Sequence, residues 1–455
     1  MSKFNTIIFV SFVASLGGFL FGYDTAVISG AVEYLQIYFN LSSIMVGWAV
    51  SSALVGCVLG SIFAAKLNEK YGRKKVMILG AVCFGVSAYF SAVPINFSVF
   101  IWARILGGCG VGLAASLVPL YLSEIAPSKI RGSLGAFFQI AIAIGMLIVY
   151  FINYKIASHS ALEWNVSTGW RWMFGSELIP AAIFFFLLFF IPESPRWLMA
   201  NGREKEAKAI LKRLNNIHIA EDEFLSIKNN LEMEKKLKGQ GTVLNIKGIK
   251  SVISLCVLMA FYQQVSGINV ILYYTPTVLK SISTDGGDSA YFQSILIGAT
   301  MVIGAIIASL TADKIGRKKI MVLGTFLMTI FMLLMGQEIY SQNISRMALI
   351  YVMGYVLAFS CSAGPIVWLY IAEILPNSVR AKGAAIASFT VWISNIAVSQ
   401  TFPMLNNNAV LKEDFHDAFP FLIYGLFCIA FFILSLKLPE TKGKSLEEIE
   451  KIWIK

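Results

Sequence analysis

The chain has 455 residues, 57% of them hydrophobic and only 14% charged, against roughly 45–50% and about 25% in soluble proteins. With a mean hydropathy of +0.71 this excludes a water-soluble globule, and 12 Pro with 36 Gly exclude a fibrous or low-complexity chain. The net charge of +11 comes from short basic clusters between apolar runs, which excludes a continuous nucleic-acid-binding face.

A membrane-spanning helix needs about 20 apolar residues. Apolar runs mark twelve such segments, near 4–29, 44–65, 76–93, 97–122, 132–156, 172–191, 251–279, 291–311, 320–337, 347–371, 383–403 and 418–436. The expected fold is therefore an all-α membrane protein of twelve spans. The first span has no small-residue cleavage site and runs into Gly22, Tyr23 and Asp24, so it reads as a retained anchor and not as a signal peptide. Most of the 37 Lys and Arg fall in alternate gaps, beginning with Lys3. Lys155, Arg171, Lys280, Arg346 and Lys412 fall in the others, and Arg104 lies inside a span. Because cytoplasmic loops collect Lys and Arg, both termini are expected inside the cell membrane. The positive charge is then a topology signal.

Along the chain, the first span carries Asp24, the fourth Arg104 and the sixth Glu177. A charged side chain at mid-membrane costs about 2.5–3.5 kcal/mol, so each is a functional candidate. A carboxylate paired with Arg104 would tolerate burial. The residues alone leave open whether that pair is static or a proton switch. After the second span comes Gly72, Arg73, Lys74 and Lys75, and Glu124 and Arg131 flank the end of the fourth. The run from Gly108 to Leu113 imitates a dinucleotide-binding fingerprint, but no strand precedes it. Its Gly108 and Gly112, like Gly56 and Gly60, have instead the spacing that lets two helices approach closely. Gln139 lies in the fifth span, and Pro192 and Glu193 follow the sixth. Residues 201–238 are rich in Lys, Glu, Leu and Asn at helical spacing, which predicts a helical linker on the membrane face. The seventh span holds Gln263, Gln264 and Asn269, and the eleventh Asn395 and Gln400. Amides offer donors and acceptors together, which suits neutral polyhydroxyl ligands. Phe21, Tyr273, Trp368 and Trp392 could stack on the apolar face of such a ligand, although aromatic rings in spans more often face lipid or pack. The six Cys fall in apolar segments without a CxxC pair, and the three His are scattered, so disulfides, metals and cofactors are not expected.

The chain also repeats. The run Tyr71 to Gly80 recurs as Ile315 to Gly324, Leu120 to Pro127 with Arg131 recurs as Leu369 to Pro376 with Arg380, and Pro192-Glu193 recurs as Pro439-Glu440. Three blocks in one order at nearly one offset predict two homologous six-span halves, 1–195 and 251–440, joined by the linker 196–250 and followed by a tail 441–455. The repeated acid-base set is Arg73, Glu124, Arg131 and Glu193 in the first half and Arg317, Glu373, Arg380 and Glu440 in the second. It reads either as topology anchors or as a cytoplasmic gate of salt bridges between half-bundles, with Glu124, Arg131 and Glu193 set on Arg73 and Glu373, Arg380 and Glu440 on Arg317, made when the inside is closed.

Gly22-Tyr23-Asp24, the two Gly-Arg-Lys-Lys turns, Pro192-Glu193-Ser194-Pro195-Arg196, Gln263 to Asn269 and Pro439 to Lys444 resemble the sugar porter family of the major facilitator superfamily. The likeness covers essentially the whole chain and within the family is to bacterial D-xylose/proton symporters, with facilitative glucose transporters further off. It implies a proton-coupled monosaccharide symporter working by alternating access as a monomer in lipid, with sugar and proton as its partners. The resemblance assigns sugar binding to Gln139, Gln263, Gln264, Asn269 and Trp368, and also to Phe21, Tyr273 and Trp392. It supports a coupling role for Asp24, because proton symporters of the family carry Asp there and facilitators do not; Arg104 and Glu177 belong to the same network. It also supports the gate. Two departures bear on the sugar: Met146 stands where xylose symporters place a second Gln, and Val391 where the family places Gln or Asn. A facilitative uniporter, a transport-inactive sensor and a multidrug antiporter are the rival readings; the span-seven amides argue against the last.

Overall fold

A computed structural model describes residues 3–455 except 127–130, 160, 215, 238–246, 282–286, 343–346, 377–378, 444–447, 449–452 and 454–455. The first half consists of α1 (Lys3–Phe39), α2 (Ser43–Tyr71), α3 (Arg73–Ala92), α4 (Phe97–Ile125), α5 (Arg131–His159) and α6 (Leu162–Phe190). Three helices form the linker: α7 (Pro195–Ala200), α8 (Glu204–Leu214) and α9 (Ile217–Leu237). The seventh span is broken into α10 (Lys247–Val265), α11 (Ile268–Tyr273) and α12 (Thr275–Ser281). Then come α13 (Gly287–Ile315), α14 (Arg317–Tyr340), a tenth span split into α15 (Met347–Cys361) and α16 (Ala363–Ile374), α17 (Arg380–Asn406), the short α18 (Ala409–Phe415) and α19 (Phe419–Leu436). Among the described residues there is no strand.

Among the described residues, eleven spans are long and apolar enough to cross a membrane by composition alone. The twelfth, α17, has the length at 27 residues but carries Ser388, Thr390, Ser394, Asn395, Ser399, Gln400 and Thr401. It is diluted because one of its faces meets the other half instead of lipid. Helix α1 outruns the expected 4–29, continuing to Phe39 because Tyr34, at 6% exposure, and Leu35, at 0%, still pack beyond the apolar core. The sixth span starts earlier than expected, at Leu162, through a π-helical turn at Asn165–Gly169. The break at Ser362 in the tenth span was not expected; Gly364-Pro365 is the sequence feature that marks it.

Within the first half, α2 and α4 interlock through the small-residue spacing. A Cβ on Gly56 would lie 1.9 Å from the Ile105 carbonyl oxygen, and one on Gly108 would lie 1.8 Å from that of Ala53. Without hydrophobic drive between helices in lipid, such close packing is what holds a half together.

The hydrogen bonds that join the halves gather at the end opposite the linker. Tyr150 donates to the Leu272 carbonyl (2.8 Å), Tyr291 to that of Gly30 (3.0 Å), and Ser51 to Gln400 Oε1 (2.7 Å). Lys280 pairs with Glu33 across the halves, and Thr277 donates to the same carboxylate (3.3 Å). Gln400, expected among the ligand amides, also donates to the Ile44 carbonyl (2.9 Å). It is a clasp between halves and not a pocket residue.

Candidate functional site

The second half of the site is built on the broken seventh span. Gly267 adopts φ +92, which an L side chain would resist, and the ring of Tyr424 fills the space where a Cβ would go. Tyr355 fixes the break by donating to the Ser266 carbonyl (2.8 Å). An amide relay follows. Asn269 donates to Gln264 Oε1, Gln264 donates to Gln263 Oε1 (3.1 Å), and Gln263 donates to the carbonyls of Ala363 (2.8 Å) and Gly364 (3.1 Å) at the break in the tenth span. Two helix interruptions thus meet, and the Gln263 amide of one bonds the first-turn carbonyls of the other. Tyr273 lies one turn beyond Asn269 on α11 and accepts from Asn395 Nδ2 (3.2 Å) on α17. One turn before Asn395, Trp392 faces Phe21 of α1 across the halves, with ring centroids 6.1 Å apart.

Of the eight expected sugar residues, contacts therefore connect Gln263, Gln264 and Asn269, and separately Trp392 with Phe21, while Tyr273 is joined to Asn395. Trp368, one turn along α16 from Gly364, is 40% exposed. Gln139 is half-buried on α5, and Met146, two turns further on, is buried. Because Gln263 and Gln264 already bond within the protein, a ligand would take over part of the relay and would not meet free amides.

The first half holds a buried ion cluster. Arg104 Nη1 donates to Asp24 Oδ1 (2.7 Å) and Nη2 to the Asp24 carbonyl (3.1 Å), with the guanidinium 5.4 Å from the Phe174 ring centre. Exposure is 0% for Asp24 and 1% for both Arg104 and Glu177. Glu177 sits where a turn interrupts α6, and its carboxyl lies within hydrogen-bonding reach of that of Asp24. Two carboxyls facing one guanidinium leave one negative charge in excess when both are ionised. A buried unpaired charge costs several kcal/mol, so the neutral cluster is the one holding a single proton between the two acids. Tyr23 and Ser176, the neighbours of Asp24 and Glu177, are joined by a 2.7 Å hydrogen bond that ties α1 to α6 beside them. Gly107 was not a sequence candidate. A Cβ there would lie 3.1 Å from Asp24 Oδ1 and 2.4 Å from Ser87 Oγ, so the glycine makes room for the cluster.

At the linker end two of the pairs expected of the gate are present. Arg73 makes a bidentate pair with Glu124 (2.7 and 2.5 Å), and Arg317 pairs with Glu373 (2.9 Å). Both pairs lie within one half and do not bridge the half-bundles. Glu193 accepts the backbone N–H groups of Arg73 (2.9 Å) and Lys74 (3.2 Å), and Glu440 those of Arg317 (3.0 Å) and Lys318 (3.2 Å). These acids therefore cap the first turns of α3 and α14, where the helix dipole favours a negative charge. Burial opposes the ionisation of Glu440, yet the backbone N–H groups of Lys442, Arg317, Thr441 and Lys318 together hold its carboxyl below the usual range. Arg380 donates to the Leu375 carbonyl (3.1 Å), and the side chain of Arg131 lies outside the described residues. The six Cys are free, and among the described residues no cluster of metal-ligating side chains occurs.

Two similar six-span halves, two apposed helix breaks bearing amides and a buried ion cluster define a membrane transporter, not an enzyme. Residues 10–453 match the family described as "Sugar (and other) transporter", and the chain belongs to that family, the sugar porters of the major facilitator superfamily. The arabinose-proton symporter of Bacillus subtilis is 40% identical over 99% of this chain and 95% of its own length. The D-xylose-proton symporter of Escherichia coli is 40% identical over 98% of this chain and 95% of its own. The inward-open conformation of the Escherichia coli xylose transporter XylE superposes with a TM-score of 0.86 at 38% identity, covering 98% of this chain and 100% of that one.

Proposed function

We propose that the protein is a proton-coupled symporter that imports a neutral pentose or hexose by alternating access. The observation that carries this reading is the buried cluster of Asp24, Arg104 and Glu177, whose charge balances when it holds one proton. The relatives named as arabinose- and xylose-proton symporters support the same chemistry. Sugar binds against the relay of Gln263, Gln264 and Asn269, with Tyr273, Phe21 and Trp392 beside it and Gln139 and Trp368 completing the contacts. The linker side is cytoplasmic and both termini lie inside, a reading that the distribution of Lys and Arg supports. The halves 1–195 and 251–440 each supply one wall, so a single chain in lipid is the working unit. Met146, 6% exposed, is apolar where xylose symporters place Gln, and Val391, 4% exposed, where the family places Gln or Asn, which favours a sugar that makes fewer bonds there.

The test is uptake of a panel of labelled pentoses and hexoses into proteoliposomes, with and without an imposed pH gradient. Accumulation above equilibrium that collapses when the gradient is abolished is the expected result. Uptake that merely equilibrates under both conditions would leave a facilitative uniporter.

A further inference from the structure

Around the ion cluster and along α3, the buried Arg104 Nε, Ser87 Oγ and Ser91 Oγ have no hydrogen-bond partner in the protein, and Asp24 Oδ2 and Glu177 Oε1 have none beyond the proton the two carboxyls share. Ser87 and Ser91 are each 1% exposed. Buried polar groups are nearly always bonded, and a group of orphans with both donors and acceptors is where internal water settles. Ser87 Oγ and Asp24 Oδ1 flank the same point over Gly107, near enough for one water to bridge them. Ser91 stands one helical turn on from Ser87, beside the last residue of α3, Ala92, at the end of the bundle away from the linker.

The direct way from Arg104 to that end is closed by aromatic rings. Phe174 lies over the guanidinium, Phe100 meets Phe174 edge-on at 5.3 Å, and Trp170 follows at 6.5 Å from Phe100. Arg171 covers Trp170 at 4.4 Å and donates to the Ala92 carbonyl (3.1 Å). Rings carry no proton, whereas α3 runs past them with two hydroxyls in line.

We propose that Ser87 and Ser91, with water between them, relay the proton between the outer face and the Asp24–Glu177 pair. This rests on the symport reading above. Each hydroxyl accepts a proton on its oxygen and releases its own toward the next oxygen. One proton thus enters at Ser91, one reaches a carboxylate, and both serines are left unchanged. The serines are positioning residues that govern how fast the proton arrives, and they leave the coupling ratio to the carboxyl pair.

The experiment uses the intact protein in proteoliposomes with labelled xylose or arabinose, comparing wild type, Ser87→Ala, Ser91→Ala, the double variant and Ser87→Thr. The initial rate of gradient-driven uptake should fall about tenfold or more in the double variant, the scale of a lost proton-transfer group. The final accumulation ratio and the rate of sugar counterflow, in which the proton need not leave, should match wild type, and Ser87→Thr should retain the driven rate. An unaffected driven rate in the double variant, while wild type responds to the gradient, overturns the relay alone. Counterflow falling in step with driven uptake also overturns it, since that marks a packing role. A wild type indifferent to the gradient overturns the symport reading and the relay together.

Discussion

Asp24→Asn isolates energy coupling from sugar binding. With both acids ionised the cluster carries one negative charge in excess, and a proton removes it. Asparagine removes that charge permanently, leaving Arg104 and Glu177 balanced, while its amide oxygen still accepts from Arg104 Nη1 as Asp24 Oδ1 does at 2.7 Å. The variant therefore fixes the charge state of the protonated cluster without a titrating group. In wild type, one proton moving with one neutral sugar makes transport electrogenic. A potential of 100 mV is worth about 2.3 kcal/mol per charge, which sustains roughly 50-fold accumulation at about 1.4 kcal/mol per tenfold. In the variant that ratio should fall to equilibration, and sugar-induced alkalinisation of the medium should vanish. Binding and counterflow should persist, because the amide relay of the second half is untouched. The assay is labelled-sugar accumulation in proteoliposomes under an imposed potential and pH gradient, with counterflow as the control for folding. Accumulation by Asp24→Asn at the wild-type level would refute the coupling role. Arg104→Gln should be harsher, since it leaves two buried acids facing each other without a cation, a change of about 3–5 kcal/mol seen as loss of folded protein in detergent.

Gln264→Ala interrupts the relay at its centre and should weaken sugar binding about 10- to 100-fold, the effect of roughly 1–3 kcal/mol for an unmade buried hydrogen bond, measured by binding titration. Unchanged affinity would place the sugar elsewhere. Lys280→Ala removes the ion pair with Glu33 at the closed end. An exposed pair contributes about 0–1 kcal/mol, so the open population there should rise by up to about fivefold, read as distances between spin labels on the two halves. An unaltered distance distribution would show that the pair does not hold that end shut. Glu440→Gln should lower thermal stability by about 1 kcal/mol near neutral pH, because the carboxylate answers the first N–H groups of α14. The folded-state pKa of Glu440 lies below its ordinary value, so this stabilisation is present above the ordinary carboxylate range and is lost as pH falls through the folded value. The gap in melting temperature between wild type and variant should close in acid; a constant gap would refute the assignment.

How much of this was legible in the sequence depends on which physical rule left a mark. Hydrocarbon thickness sets span length, so apolar runs revealed the spans, and the cost of charge at mid-depth singled out Asp24, Arg104 and Glu177. Helix continuing beyond the apolar core leaves no such mark, and the extension of α1 to Phe39 was invisible. Gly267 sat beside recognised amides, whereas the Ser362 break was signalled only by Gly364-Pro365. Serines in spans commonly bond back to their own helix, as Ser294 does to Ala290 (2.8 Å), so nothing in the sequence distinguishes Ser87 and Ser91. Pairing was partly legible: the repeat matches Arg73 to Glu124 and Arg317 to Glu373, as found, but leaves open whether such bonds also bridge the halves, since each half carries the same acids and bases.

That last ambiguity matters for how the protein moves. A gate made across the halves would have to break in every cycle, and the bidentate Arg73–Glu124 pair with its partly buried side chains would be costly to break. Placed within a half, the same bonds do the opposite work. Glu193 ties the end of the sixth span to the start of α3, Arg73 ties α3 to the end of α4, and Tyr121 of α4 donates to the Pro192 carbonyl (2.7 Å), closing a ring of three helix ends. Glu440, Arg317 and Glu373 repeat the ring in the second half, where Tyr370 donates to the Pro439 carbonyl. Each half is thereby stiffened at its linker end while the bonds between halves sit at the other end, single or shared, those of Tyr150 and Tyr291 buried and those of Lys280 and Gln400 in part exposed. Rocking then exchanges the weak contacts of Glu33, Lys280, Ser51 and Gln400 and preserves the strong ones. The duplicated motif is therefore retained in both halves because each must move as one body, and its loss in either should soften that half before it opens a gate.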